Sequence, residues 1–160
     1  MARTPIPSHL WRNPVHWLSF GFGSGASPVV PGTMGTVIAI PIYLVAFPLP
    51  SILYILLTLV MFAVGVWLCE KTSHALGVHD HPSIVWDEIV GYMITMYAAP
   101  AGWMWVLIGF VLFRIFDIVK PWPVSLADQK ISNGFGIMLD DVLAAVYAWI
   151  VMHLLIAYIM

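Results

Sequence analysis

Three long stretches without a charged side chain limit what this chain can become. No Asp, Glu, Lys or Arg occurs from Asn13 to Cys69, from Ile89 to Phe113, or from Val142 to Met160. A helix that crosses a bilayer needs about 20 consecutive, mostly apolar residues, and each stretch supplies at least one such run. The 160 residues are 61% hydrophobic and 9% charged, far from the roughly 25% charged of an ordinary soluble domain. One domain of an integral membrane protein is expected. A net charge of −2 leaves no basic surface for a nucleic-acid partner. Cys69 is alone, which excludes an intrachain disulfide.

Residues 1–20 set Trp11, Trp17 and Phe20 among Arg3, Arg12, His9 and His16, a mixture suited to lying at the membrane–water boundary. Pro5, Pro7 and Pro14 interrupt any apolar core there, so no cleaved signal peptide is expected. Five glycines and two prolines in residues 21–36 predict a tight loop, which must lie at the surface or line a polar cavity because irregular backbone cannot face lipid. The apolar runs Val37–Phe47 and Ser51–Cys69 form a helical hairpin turning at Pro48-Leu49-Pro50, followed by a polar connector over Glu70–Pro82. Ser83 is a suitable N-cap for a third helix ending near Ala99, before Pro100. This start sets Asp87 and Glu88 beyond the first turn. A fourth helix runs from Trp103 to about Val119. Pro121–Leu139 reads as irregular, and a last helix starts at Asp140 or Asp141.

The expected fold is all-α: a polytopic membrane bundle of two hairpins and a C-terminal helix, with short or re-entrant helices among them. That topology puts all six Lys/Arg and all eight Asp/Glu on one side, and the basic asymmetry marks that side as cytoplasmic.

The acids carry the chemistry. Asp87 and Glu88 are adjacent inside an apolar run, Asp117 lies three residues from both Arg114 and Lys120, and Asp140-Asp141 opens the last run. Ionisable residues in membrane segments mark functional sites, and carboxylate clusters suit Mg²⁺ with substrate phosphate oxygens. Each has a plainer use: the helix dipole welcomes acids in first turns, Asp is a favoured N-cap, and Asp117 can pair with its helical neighbours. Arg114, Lys120 and Lys130 can orient a phosphate or anchor to anionic headgroups. His74, His79, Asp80 and His81 could bind zinc, although connector histidines are more often solvated. His153, deep in an apolar run, suits a hydrogen-bonded interior position. Cys69 lacks the arginine six residues on that a cysteine phosphatase carries, since Ala75 stands there. No Asp-x-Asp pair of the haloacid-dehalogenase kind occurs. A channel or coupled transporter would need acids spread through membrane depth, and a structural lipid-binding subunit would need no paired carboxylates.

Four stretches together resemble the bacterial phosphatidylglycerophosphatase A family. They are Gly21–Thr36, with its Gly-Phe-Gly-Ser-Gly and Pro-Gly-Thr-Met-Gly elements; Asp80 through Trp86-Asp87-Glu88 to Gly91; Phe113-Arg114-Ile115-Phe116-Asp117 on to Lys120-Pro121-Trp122-Pro123; and Gly134 through Gly136-Ile137-Met138 to Asp140-Asp141. The chain departs from the family in having Ala144-Ala145 where Ala-Gly is usual. The resemblance implies an all-helical, Mg²⁺-dependent lipid phosphatase at the cytoplasmic face of the bacterial inner membrane. It would convert phosphatidylglycerophosphate to phosphatidylglycerol, with the diacyl tail between helices. Asp80, Asp87, Glu88, Asp117 and Asp141 would be the catalytic acids. Asp87, Glu88, Asp140 and Asp141 would hold the metal, and Arg114, Lys120, Ser24 and Thr33 would bind the phosphate.

Overall fold

The computed structural model describes residues 6–125 and 131–159, so Lys130 lies outside the described residues. The described chain is helical. Helix α1 (Pro14–Ser19) is followed by a 3₁₀ segment (Gly21–Ala26), α2 (Pro31–Ala46), α3 (Ser51–Leu76), α4 (Trp86–Thr95), α5 (Trp103–Val119) and α6 (Gly134–Ile159). The proline turn between α2 and α3 is as expected, and so is the Pro100-Ala101-Gly102 break before α5. Helices α3 and α6, 26 residues each, rise about 39 Å and are long and apolar enough to cross a membrane. Helix α4, with ten residues, rises about 15 Å, half the bilayer core.

Helix α4 lies at the centre. It packs against α2, α3 and α6, while α5 packs mainly on α6. Ile89, Val90, Tyr92 and Met93 are fully buried. Its C-terminal end stops inside the bundle, and the carbonyls freed there are covered by side chains. Tyr54 donates its hydroxyl to the Met93 carbonyl at 2.7 Å, and Trp149 Nε1 donates to the Tyr97 carbonyl at 3.0 Å. Irregular backbone away from water persists only with such internal partners.

Five boundaries differ from the sequence reading. Helix α4 ends at Thr95 and not near Ala99, because the backbone turns off before Ala98, whose φ is left-handed at 59°. Helix α3 runs through Glu70 to Leu76, because no breaker precedes Gly77, whose left-handed φ of 65° ends it. Helix α4 starts at Trp86 and not at Ser83, and no side chain caps it, so Asp87 and Glu88 fall in its first turn. Pro31–Thr36 belongs to α2 and not to a loop. Proline is at home in a first helical turn, and Gly32 and Gly35 are needed for close packing, since a Cβ on Gly35 would collide with Val85. Helix α6 begins at Gly134, well before Asp140. Asn133 accepts a hydrogen bond from Gly136 N–H at 3.0 Å, as an N-cap does, and Glu70 of α3 accepts another from Gly134 N–H.

The beginnings of α2, α4 and α6 and the ends of α3 and α5 meet at one end of the bundle. Gly32 abuts Glu88 and Arg114, Glu70 holds Gly134, and Lys120 reaches Asp140. The N-terminal segment docks on the same end. His16 Nδ1 lies 2.9 Å from the Thr72 hydroxyl, and Val85 N–H donates to the Ser19 carbonyl.

Candidate active site

At that end three carboxylates converge. Asp87 and Glu88 come from the first turn of α4, and Asp141 from two turns inside α6. One oxygen from each lies within 4.8 Å of the other two. Asp87 and Asp141 are 6% and 3% exposed, and the Glu88 side chain is 13% exposed. Asp87 Oδ1, Glu88 Oε2 and Asp141 Oδ2 are buried without a hydrogen-bond partner among the described residues. Unpaired buried carboxylates this close repel one another and are costly unless a cation or protons compensate them. Asp141 is no helix cap: it lies well inside α6 and its side chain is turned into the cluster.

Arg114, in the last two turns of α5, borders the cluster. Its Nη1 lies 2.6 Å from Asp117 Oδ2 and 3.8 Å from Glu88 Oε1. Asp117 thus pairs with Arg114 as its helical register suggests, and its charge also reaches Asp141. Two carboxylates, Asp117 and Glu88, therefore flank the guanidinium, and with Asp87 and Asp141 grouped beside Glu88 the acids outnumber the cation. Lys120 Nζ lies 2.7 Å from Asp140 Oδ2, so Asp140 faces the end of α5 while its neighbour Asp141 faces the cluster.

Glycine at position 32 makes this packing possible. A Cβ there would strike Glu88 Oε1 and crowd both terminal nitrogens of Arg114. Sequence reading missed this role by assigning the residue to a loop. It also missed Glu70, whose carboxylate links α3 to the first residue of α6 and lies 2.8 Å from His74 Nε2. A glutamate after an unbroken apolar run was the available signal.

The remaining candidates are spread around this centre. Asp80 stands exposed on the connector, outside the three-carboxylate group, with its charge felt at Asp87. Thr33 shares a groove with Arg114. Ser24, whose Oγ is buried without a hydrogen-bond partner among the described residues, belongs to the 3₁₀ segment packed against Ser83 and Val85. The connector histidines do not converge. His74 pairs with Glu70, His79 is exposed, and His81 Nδ1 accepts from Ser83 N–H. His153 is half-buried, with Nδ1 3.0 Å from the Trp149 carbonyl. Among the described residues, Asp87, Glu88 and Asp141 form the set with metal-ligand spacing. No acid lies along α6 beyond Asp141 or on Ser51–Cys69, so the acids do not line a path through the bundle.

The family model for phosphatidylglycerophosphatase A matches residues 17–156. A phosphatidylglycerophosphatase A of Escherichia coli K12 is 51% identical over 135 residues, which cover 84% of this chain and 78% of that protein. A phosphatidylglycerophosphatase A of Haemophilus influenzae is 48% identical over 149 residues, covering 92% and 91%. No solved structure matches significantly. The matched region contains the carboxylate cluster, its arginine and every helix that positions them, and by that extent and identity the chain belongs to the phosphatidylglycerophosphatase A family.

Proposed function

We propose that this protein is a lipid phosphatase that hydrolyses the terminal phosphomonoester of phosphatidylglycerophosphate, giving phosphatidylglycerol and inorganic phosphate. Family membership supplies the reaction class, and the convergence of Asp87, Glu88 and Asp141 beside Arg114 is the observation that carries the site assignment. The clustering of charge at one end of an apolar bundle favours a multi-pass inner-membrane placement, with that end in the cytoplasm.

Magnesium fits this donor set. It is a hard cation that takes carboxylate oxygens and keeps positions for water and phosphate oxygens, and three buried carboxylate oxygens here have no hydrogen-bond partner among the described residues. When bound, the ion supplies a Lewis acid that polarises the phosphoryl group and offsets its charge. Arg114, held by Asp117, offers a planar pair of donors to phosphoryl oxygens. Thr33 and Ser24 add hydroxyl donors near that end of the bundle. Lys120 contributes positive charge from its pairing with Asp140, which fixes the α6 turn carrying Asp141. Asp80, exposed to water beside the site, is placed to exchange a proton with solvent.

Purified protein given phosphatidylglycerophosphate in detergent should release phosphate, lose that activity in a chelator and regain it with Mg²⁺. Absence of phosphate release would overturn the reaction. Release that is indifferent to chelator would overturn the metal.

A further inference from the structure

Beside Arg114, helices α2 and α5 meet sparingly and leave an open groove of about 320 Å³. Thr33 forms its α2 wall, and Phe110, Val111, Ile115, Ile118 and Val119 line it along α5, with Arg114 among them. From Phe110 to Val119 it follows α5 for about 14 Å. Val111 and Ile115 are about half exposed, and Ile118 and Val119 more so, so the groove opens sideways to whatever surrounds the bundle.

An apolar face on a membrane protein is ordinarily covered by bulk lipid, so apolarity alone marks nothing. This groove differs in carrying a cation on its wall. Arg114 touches Asp117 and Glu88, yet its Nε is buried without a hydrogen-bond partner among the described residues, a costly state for an arginine in an apolar setting. Apolar wall and phosphate-binding cation are thus continuous in one cleft. A second groove, of about 360 Å³ between α3, α4 and α6, is lined by Leu59, Phe62, Ile94, Val142 and Val146 among others, and no charged side chain lines it. The tyrosine and tryptophan groups at its far end are committed to the Met93 and Tyr97 carbonyls.

We infer that the α2–α5 groove is the acyl-chain subsite of the substrate. A lipid phosphomonoester slides in laterally from the bilayer and lays one chain against Phe110, Val111 and Ile115. Its phosphate then lies at the level of Thr33 and Arg114, next to the carboxylate cluster. This assignment rests on the lipid-phosphatase reading. It explains why an arginine stands in an apolar helix wall, and it makes α5, not α3 or α6, the helix that recognises the tail.

Two measurements test it. Val111→Trp, which fills the groove, should raise KM for the diacyl substrate about tenfold, the usual scale of a hydrophobic misfit, with the loss falling on KM and not on kcat. Leu59→Trp, in the other groove, should keep the wild-type KM. Wild-type KM in Val111→Trp, or an equal rise in Leu59→Trp, overturns the assignment. The second measurement needs no variant: a non-hydrolysable phosphonate analogue with a photoreactive group midway along one chain should label α5 around Phe110–Ile115. Labelling confined to peptides around Leu59 and Val146 overturns the groove and leaves the phosphatase reading intact, whereas failure of the wild-type protein to release phosphate overturns that reading instead.

Discussion

Lys120 Nζ lies 2.7 Å from Asp140 Oδ2, across the boundary between the end of α5 and the second turn of α6. Neighbouring helix residues point about 100° apart, so this pairing turns Asp140 outward to α5 and Asp141 inward to Asp87 and Glu88. The two adjacent acids therefore have different partners. Asp141→Asn should lower phosphate release about 100-fold or more, the scale seen when a group stabilising the transition state is lost, with the melting temperature preserved. Asp140→Asn should retain measurable activity and lose stability by about 1 kcal/mol, as for one broken partly buried pair. Phosphate-release kinetics and thermal melts of both variants decide this, and equal activity losses would count against the division of roles.

The carboxylate cluster stores repulsion when no cation is bound. Asp87→Asn replaces one negative charge with an amide that can donate to its neighbours. In chelator this variant should melt at or above the wild-type temperature while being inactive. Wild type should gain stability on adding Mg²⁺, by about 2.7 kcal/mol at a hundredfold excess over Kd, and the variant should gain less. Melting curves with and without Mg²⁺ report both effects, and a metal shift of wild-type size in the variant would remove Asp87 from the ligand set.

Gly32→Ala adds one methyl group against Glu88 Oε1 and the Arg114 guanidinium. Overpacking typically costs about 1–3 kcal/mol, and displacement of reacting groups by an ångström can cost about 100-fold in rate. The variant should fold with modest destabilisation and lose activity far out of proportion to it. Activity within twofold of wild type, on the order of a 0.4 kcal/mol change, would mean that the site tolerates the shift.

His16 makes docking of the N-terminal segment sensitive to pH. Burial, with repulsion from His9 in second place, holds its imidazole below the ordinary value of 6.5. The neutral ring is the form that docks. Its contribution is complete above 6.5 and fades as pH falls through the lowered folded value. Proteolytic cutting in the segment around Trp17–Phe22 should speed up at about pH 5 relative to neutral pH. His16→Gln should flatten that dependence, and an unchanged pH response in the variant would assign the effect elsewhere.

Much of this was legible in the residue order. Charge-free runs and proline pairs marked out most of the helices, and the scarcity of acids pointed to Asp80, Asp87, Glu88, Asp117, Asp140 and Asp141, without telling which three of them would converge. What stayed hidden depended on tertiary contact. The Pro31–Thr36 stretch reads as a loop by glycine density, yet Gly32 and Gly35 are glycines because Glu88, Arg114 and Val85 press on them. The start of α6 was obscured for a similar reason: Gly134 draws its cap from Glu70, 64 residues earlier. Asn133 was a local cap signal that the surrounding glycines outweighed. Ser83 failed in the opposite direction, as a good local cap in a stretch where the backbone turns only at Val85.

The half-length of α4 divides the bundle into two halves with different demands. Toward the charged face, the demand is on the mutual placement of Asp87, Glu88 and Asp141. Toward the other face, where Tyr54 and Trp149 plug the carbonyls left bare by the early stop, the demand is for sealing, and a Tyr54→Phe change would strand the Met93 oxygen in oil. Inherited variation in the first half should surface as slow enzyme, and in the second as enzyme that never accumulates.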